Sequence, residues 1–255
     1  LENIYRDYIE IAQARQIPLF LFTPTWRATR ERIEKSPYQG KPVNGDGYRF
    51  VDKIRQSYGD YASRIFIGGL MGCKGDAYKP EESLAIGEAR EYHQEQANAL
   101  ARAGVDFLFA STMPALPEII GMAHALSLTG KPYIISFMLR RDGKLLDGSS
   151  IPAVIREIEE NLVYPPLGYF ANCAHSGFVR KALEELRQES PQCLSRFLGC
   201  QPNTSCKSPE DLDNAAELDC ETPAAFSEGI ASLHWEFNLK VLGGCCGSSP
   251  EHIRA

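Results

Sequence analysis

Short apolar runs alternate along the chain with segments in which apolar residues recur at helical spacing. Seven runs have the length of strands: Ile17–Thr23, Arg64–Leu70, Val105–Ala110, Pro132–Leu139, Leu167–Cys173, Arg196–Cys200 and Lys240–Gly244. The helical spacing is seen in Ser83–Ala103, Pro117–Leu128, Ile151–Leu162, Phe178–Glu189 and Thr222–Leu239. Regular alternation of strands and helices predicts an α/β fold with a parallel sheet.

Several of these strands are continuously apolar rather than alternating, as in Phe107-Leu108-Phe109 and Ile134-Ile135. Continuous runs are typical of parallel strands that are buried on both faces. The choice lies between an open doubly wound sheet and a closed barrel. No Gly-x-Gly-x-x-Gly turn follows any of the strands, which removes the main support for a dinucleotide-binding open sheet. We therefore predict a (β/α)8 TIM barrel.

The predicted barrel lacks one strand. The chain opens with an amphipathic helix, in which Ile4, Tyr8, Ile11 and Ala12 share one face. We therefore expect that the first strand lies outside the given chain and that residues 1–255 form one barrel domain truncated at both ends. The longest irregular segment is predicted at 204–221.

Composition and charge narrow the function classes. Of the 255 residues, 44% are hydrophobic and 24% are charged, which is typical of a globular protein with a substantial core. The net charge of −6 and the absence of a Lys/Arg stripe argue against nucleic acid as a partner. Apolar runs such as Leu19–Phe22 are far shorter than the roughly 20 residues that span a bilayer. We expect a cytoplasmic protein without a membrane partner.

Small and polar residues follow the predicted strands at their carboxyl ends, where barrel enzymes carry their active sites. They are Thr23-Pro24-Thr25, Gly68-Gly69, Ser111-Thr112, Asn172-Cys173, Pro202-Asn203 and Gly243 to Gly247. The functional site is therefore predicted at this end of the barrel.

Two adjacent cysteines, Cys245 and Cys246, lie between glycines after the last strand. A disulfide between neighbours would be strained, and eight cysteines are too few for a disulfide scaffold of this size. Zinc favours thiolate ligands, and a catalytic zinc site holds three protein ligands and one open position. Cys173 is the best placed third thiol because the loops after neighbouring strands converge. These residues predict a three-thiolate Zn²⁺ site.

Other candidate groups are weaker. Four further cysteines are interpreted as small buried side chains without a role: Cys193, Cys200, Cys206 and Cys220. Cys73 is a less favoured candidate for an extra thiol near the site. His175 is expected to line the pocket rather than to bind metal, since three thiolates already fill the protein's share. Trp26 and Tyr38 are interpreted as loop packing or, alternatively, as an aromatic cage for a methylated cation.

The segment from Gly243 to Ile253 resembles a family signature. It is similar to the closing Gly-Gly-Cys-Cys-Gly-Thr-Thr-Pro-x-His-Ile of the zinc-dependent homocysteine S-methyltransferases, a family that includes betaine and S-methylmethionine users. Asn172-Cys173 resembles the Asn-Cys element that supplies the family's first zinc ligand. Weaker similarities are Ser136-Phe137 with Asp147-Gly148, and Pro202-Asn203. The resemblance covers nearly the whole chain and implies a (β/α)8 barrel.

The resemblance implies a reaction and a set of site residues. A zinc-bound homocysteine thiolate would attack the methyl group of an activated donor and give methionine. Cys173, Cys245 and Cys246 would be the metal ligands and the catalytic residues. The implied substrate-binding residues are Asn172, Ser111, Thr112, Asn203 and Gly244. The implied partners are L-homocysteine, or another small thiol, and a methyl donor that the sequence does not identify.

One position departs from the family pattern. Where the family carries a Glu-Thr-x-Pro-like stretch, this chain has Ser111-Thr112-Met113-Pro114. The family's carboxylate contacts the substrate amino group, and a hydroxyl replaces it here. Alternatives therefore stay open: a zinc-dependent methyltransferase for another small thiol, a catalytically silent zinc-binding barrel, or a subunit that depends on a separate methyl carrier.

Overall fold

The computed structural model describes residues 1–212 and 216–255. Seven parallel strands form one sheet in the order β1 to β7. They are β1 (Leu19–Phe22), β2 (Ile65–Met71), β3 (Phe107–Met113), β4 (Tyr133–Phe137), β5 (Gly168–Asn172), β6 (Phe197–Gln201) and β7 (Val241–Leu242). All seven predicted strands are confirmed, although β7 is shorter than predicted.

Helices connect the strands on the outside of the sheet. They are α1 (Glu2–Ala14), α2 (Arg30–Glu34), α3 (Val43–Gln56), α4 (Ile86–Ala103), α5 (Leu116–Ser127), α6 (Ile151–Asn161), α7 (Ser176–Glu189), α8 (Pro191–Leu194), α9 (Pro209–Leu212), α10 (Pro223–Phe237) and α11 (Pro250–Arg254). The five predicted helices correspond to α4, α5, α6, α7 and α10. Helix α3 was not predicted, because Gly45 and Gly47 weaken the helical pattern in its first turns. The irregular segment predicted at 204–221 includes α9, and its residues 213–215 lie outside the described part.

The sheet curls into a half-barrel. Within the described residues β1 pairs only with β2 and β7 only with β6, so these two strands are the edges of the sheet. A cavity of about 790 Å³ lies between the edges, lined by both strands and by α1, and it reaches Cys245. Seven parallel strands with this curvature form an incomplete TIM barrel, which confirms the predicted fold class.

Both faces of the sheet are buried. Phe107, Phe109, Ile134 and Phe170 form a cluster on the concave face, where the rings of Phe109 and Phe170 are 5.4 Å apart. Alternate residues such as Leu108 and Ile135 belong to the larger core on the opposite face. Burial on both faces explains the continuously apolar strands.

No helix in the described residues is long and apolar enough to cross a membrane. Helix α5, which is apolar around most of its circumference, has 12 residues and packs against α4. Its apolar character therefore serves the core.

Candidate metal centre

Three cysteine sulfurs meet at the carboxyl ends of β5 and β7. The Sγ atom of Cys173 lies 2.6 Å from that of Cys245 and 3.5 Å from that of Cys246. The sulfurs of Cys245 and Cys246 are 3.9 Å apart. The structure thus brings together the three thiols that the sequence singled out, and the group could hold a metal ion.

The backbone around the cysteines is bent to turn the sulfurs toward one another. Cys173 has a φ of +52°, in the left-handed region that few non-glycine residues adopt. Gly247 has a φ of +81°, and a Cβ atom there would overlap the Thr204 hydroxyl. This glycine therefore lets the loop after β7 pass close to the loop after β6.

Backbone hydrogen bonds join the three loops that surround the cluster. The Cys245 amide donates to the Pro202 carbonyl at 2.8 Å, and the Thr204 amide donates to the Cys246 carbonyl at 3.2 Å. The Cys173 amide donates to the Gln201 carbonyl at 3.2 Å. The loops after β5, β6 and β7 consequently hold one another in place.

The spacing of the sulfurs can be compared with a tetrahedral zinc site. Zn–S bonds of about 2.3 Å at tetrahedral angles place sulfurs about 3.8 Å apart. The separations of 3.5 Å and 3.9 Å match this value. The separation of Cys173 and Cys245, 2.6 Å, would have to widen. Rotation of one thiol side chain would achieve this, so the three residues fit zinc.

The three thiols differ in their tendency to ionise. Hydrogen bonds with Cys245 and Cys246, together with burial, raise the pKa of the Cys173 thiol. Hydrogen bonds from Cys173 and Cys245 lower the pKa of the Cys246 thiol. The cluster therefore favours a thiolate at Cys246, and a cation is the group that complements it.

A layer of neutral polar side chains lies beside the cysteines, with Asn172 at its centre. Asn172 Oδ1 accepts hydrogen bonds from the Thr112 amide at 2.8 Å and from Ser136 Oγ at 2.6 Å. Its Nδ2 atom donates to Thr112 Oγ1 at 2.7 Å, and Ser111 Oγ lies 3.1 Å from that hydroxyl. Asn172 thus connects β3 and β4 to the end of β5, immediately before Cys173.

A register shift in β3 makes this network possible. The pairing with β4 is irregular between Ala110 and Met113, and Thr112 has a φ of +59°. The shift turns the amide of Thr112 toward Asn172. No sequence pattern indicates this irregularity, although Ser111 and Thr112 were predicted at the site.

Two buried acceptors near the cluster have no partner. Asn203 Oδ1 and Thr204 Oγ1 make no hydrogen bond within the described residues, and both side chains are buried. Buried polar atoms are normally satisfied, so these two atoms mark a place where a ligand can donate. Gly244, also predicted at the site, packs so closely on Ser248 that a Cβ atom would overlap its side chain.

Several weaker candidates take other positions. His175 caps α7 through Nδ1, which accepts from the Gly177 amide, and its Nε2 lies 3.0 Å from Glu221 Oε1. Both ring nitrogens are engaged without the cysteines. Cys73 is buried with its sulfur 3.7 Å from the Gly75 carbonyl oxygen, and burial raises its pKa to about 12.

The interpretation of four cysteines as buried needs correction. Cys200 is buried inside β6, and Cys193 is partly buried. Cys206 and Cys220 are exposed, because both belong to the long loop after β6 rather than to a strand or helix. Of the two loop aromatics, Trp26 packs against the core as the favoured interpretation expected, whereas Tyr38 is exposed, and the cation over the Trp26 ring is Arg27.

The fold and the cysteine cluster together define a class of protein, the α/β barrel that carries a thiol-rich site at the carboxyl ends of its strands. The model of one protein family, described as homocysteine S-methyltransferase, matches residues 1–255. The chain belongs to the homocysteine S-methyltransferase family.

Individual relatives are distant. The homocysteine S-methyltransferase YbgG of Bacillus subtilis is 26% identical over 195 residues, which cover 76% of this chain and 59% of that protein. The homocysteine S-methyltransferase of Escherichia coli is 24% identical, over 100% of this chain and 82% of its own length. The chain thus spans 59% of YbgG and a larger share of the second relative.

A solved structure supports the fold. The metallated form of the homocysteine methyltransferase MmuM from Escherichia coli has a TM-score of 0.76 and 20% sequence identity, and the match covers 99% of this chain and 82% of that one. The similarity shows that the two proteins share the barrel architecture.

Proposed function

We propose that this protein is a zinc-dependent S-methyltransferase, which moves a methyl group from an activated donor to the thiol of L-homocysteine and gives methionine. The observation that carries the proposal is the meeting of the Cys173, Cys245 and Cys246 sulfurs at the ends of β5 and β7. Membership of the homocysteine S-methyltransferase family supports it.

The three cysteines would hold Zn²⁺ and leave its fourth position open. When bound, the ion supplies a Lewis acid that keeps a coordinated substrate thiol deprotonated and nucleophilic. Metal ligands must give up their protons, and since the pKa is lowered for Cys246 but raised for Cys173 and Cys245, the bound cation would have to displace the protons of the latter two. Asn172 fixes the start of the loop that carries Cys173 through its bonds to Thr112 and Ser136.

Neutral polar groups would orient the amino acid part of the acceptor. Asn203 Oδ1 is a buried acceptor without a partner within the described residues, so it can accept a hydrogen bond from the substrate. The hydroxyls of Ser111 and Thr112 lie on the other side of Asn172 and can accept or donate as the substrate requires. Gly244 brings the backbone close to Cys245 without a side chain in the way. These groups align the thiolate with the methyl group.

A second acceptor class has specific support. Ser111, Thr112, Ser136 and Asn172 form a layer without a carboxylate, so the layer offers no charged partner for an ammonium group. A small thiol without an α-amino group would not need such a charged partner in order to bind beside this layer. Comparison of L-homocysteine with 4-mercaptobutyrate, which is the same molecule without its α-amino group, distinguishes the two classes.

The test combines metal content with turnover. Elemental analysis of the reduced protein is expected to give about one zinc per chain, lost on mild oxidation of the thiols. Methionine formation from L-homocysteine is then measured with S-methylmethionine, betaine and S-adenosylmethionine. Cys206→Ala, which removes an exposed cysteine outside the cluster, is the matched control. Absence of zinc from carefully reduced protein would overturn the proposal, and zinc without turnover would favour the silent or carrier-dependent alternative.

A further inference from the structure

A partly buried cation, which has no carboxylate partner within the described residues, follows β1 at the same end of the sheet as the candidate site. Arg27 follows β1, and its Nη1 atom donates to the carbonyl oxygens of Lys74, at 3.5 Å, and of Gly75. Its guanidinium carbon lies 4.4 Å from the centroid of the Trp26 ring. Nε and Nη2 have no partner within the described residues. Three contacts therefore fix the plane of the group while one edge stays free.

The acidic side chains around Arg27 are engaged elsewhere. Glu82 accepts from the Asp76 amide at 2.9 Å, and Glu118 lies 2.8 Å from His93 Nε2. No carboxylate in the described part of the chain forms an ion pair with Arg27. A cation that is partly removed from water without a counter-charge is a cost to the folded protein unless a ligand supplies the charge.

Trp26 connects this cation to the polar layer. Its Nε1 atom donates to the Ser111 carbonyl at 3.4 Å. The indole lies against Gly72, where a Cβ atom would overlap the ring. Ser111 in turn contacts Thr112, which is bonded to Asn172. Trp26 thus links the guanidinium, through Ser111, to a layer that has hydroxyl and amide groups but no charge of its own.

We propose that Arg27 determines specificity by binding the carboxylate of an amino acid substrate through its Nε and Nη2 atoms. These two donors form the side edge of the guanidinium, which matches the two oxygens of a carboxylate. The inference rests on the proposed function, in which the acceptor is an amino acid and the methyl donors to be tested also carry a carboxylate. The carboxylate can belong to the thiol acceptor or to the methyl donor, and the test separates these sources.

The test uses tryptophan fluorescence, which reports binding without turnover. The chain has two tryptophans, and Trp235 is 81% exposed on α10. In the Trp235→Phe protein, Trp26 is the only remaining tryptophan, and it lies under Arg27. The zinc-loaded protein is titrated separately with L-homocysteine, its methyl ester, S-methylmethionine, its methyl ester, and betaine.

The expected result is a loss of affinity that depends on the carboxylate. Arg27→Gln weakens binding of one free acid by roughly 10- to 100-fold, as for loss of a charged hydrogen-bonded pair, and leaves its ester unchanged. The reactant that shows the loss identifies the source of the carboxylate. Arg27→Lys, which keeps the charge but not the two-donor edge, gives an intermediate value.

Two results would overturn the inference. Equal losses for acid and ester in Arg27→Gln would show that the residue only supports Trp26. Equal affinities of the parent protein for acid and ester of every reactant would overturn it even if the variant failed to fold. Normal methionine formation without any effect of Arg27 would remove this inference and leave the proposed function intact. Carboxylate-dependent binding without turnover would support the role of Arg27 and contradict the proposed function.

Discussion

Two polar clusters occupy the carboxyl-terminal end of the barrel, and they differ in how completely their hydrogen bonds are satisfied. In the first, Glu118 Oε1 accepts from the Lys74 amide at 2.7 Å and lies 2.8 Å from His93 Nε2. Its Oε2 accepts from the Leu84 amide at 3.3 Å, and the side chains of Glu118 and His93 are fully buried. Both oxygens of this carboxylate have partners from the protein, and Nδ1 of His93 is the only polar atom of the two side chains without a partner within the described residues.

The cluster around the cysteines has more polar atoms without hydrogen-bond partners. Its three sulfurs contact mainly one another, and Asn203 Oδ1 and Thr204 Oγ1 have no partner within the described residues. A satisfied buried network stabilises the fold, whereas an unsatisfied one is retained where a ligand completes it. The comparison assigns Glu118 to stability and the cysteines to function.

Removal of one thiol should have the largest effect on function. Cys246→Ala is expected to abolish zinc retention, from about one ion per chain to none, and to reduce turnover by more than about 100-fold, since two ligands remain. Thermal unfolding should change little, because the half-barrel core does not include this side chain. Elemental analysis, turnover and a melting curve of the same preparation measure the three quantities.

Full activity in Cys246→Ala would contradict the role of the cluster. Cys200→Ser would be a poor control, since that residue is buried in β6. Cys206→Ala, in the exposed loop, should behave as the parent protein in all three measurements.

Alteration of the satisfied cluster should produce the opposite pattern. Glu118→Gln removes the charge and places an amide donor where Lys74, Leu84 and His93 present donors. The expected loss is about 3 kcal/mol in the free energy of unfolding, as for other broken buried pairs. Urea unfolding measures it. Zinc content should remain about one per chain. Loss of zinc without loss of stability would contradict the assignment of Glu118 to the stability of the fold.

The pH dependence of stability sharpens this distinction. Burial raises the pKa of Glu118, but the hydrogen bond and charge of His93 and the amides of Lys74 and Leu84 outweigh it, so the pKa is lowered overall. Because the pKa of Glu118 is lowered in the folded state, its ionised carboxylate stabilises the protein at pH values above the ordinary pKa of about 4.5. This stabilisation is lost as the pH falls from that value through the lowered folded-state pKa. Unfolding free energies between pH 7 and pH 3 should therefore fall more steeply for the parent protein than for Glu118→Gln. Parallel curves would contradict an ionised Glu118.

The features that the sequence predicted are those set by local pattern. The seven strands follow from apolar runs, and the convergence of Cys173 with Cys245 and Cys246 follows from the rule that parallel strands end at one edge. Helix α3 was missed because it has only a few buried residues, Asn44, Val51 and Ile54, and glycines in its first turns.

The features that were missed depend on tertiary contacts. Glu118 and His93 are 25 residues apart, and no periodicity connects them. The position of Arg27 over Trp26 depends on carbonyl groups in a different loop, after β2. The spacing of residues along the sequence does not predict such contacts, because they form only when the loops of several strands are brought together.

The smallest expected effect tests the neutral layer beside the cysteines. Ser111→Glu introduces a carboxylate next to Thr112, at a position that is 7% exposed. It should increase affinity for L-homocysteine by roughly 3- to 10-fold, because a charge-assisted hydrogen bond to the substrate amino group is stronger than one to a hydroxyl and the bound ammonium offsets the burial of the new carboxylate. Titration calorimetry with L-homocysteine and 4-mercaptobutyrate measures the effect, and only the affinity for the amino acid should increase. An equal change for both thiols, or none for either, would show that the amino group is held elsewhere, with Asn203 Oδ1 as the remaining buried acceptor.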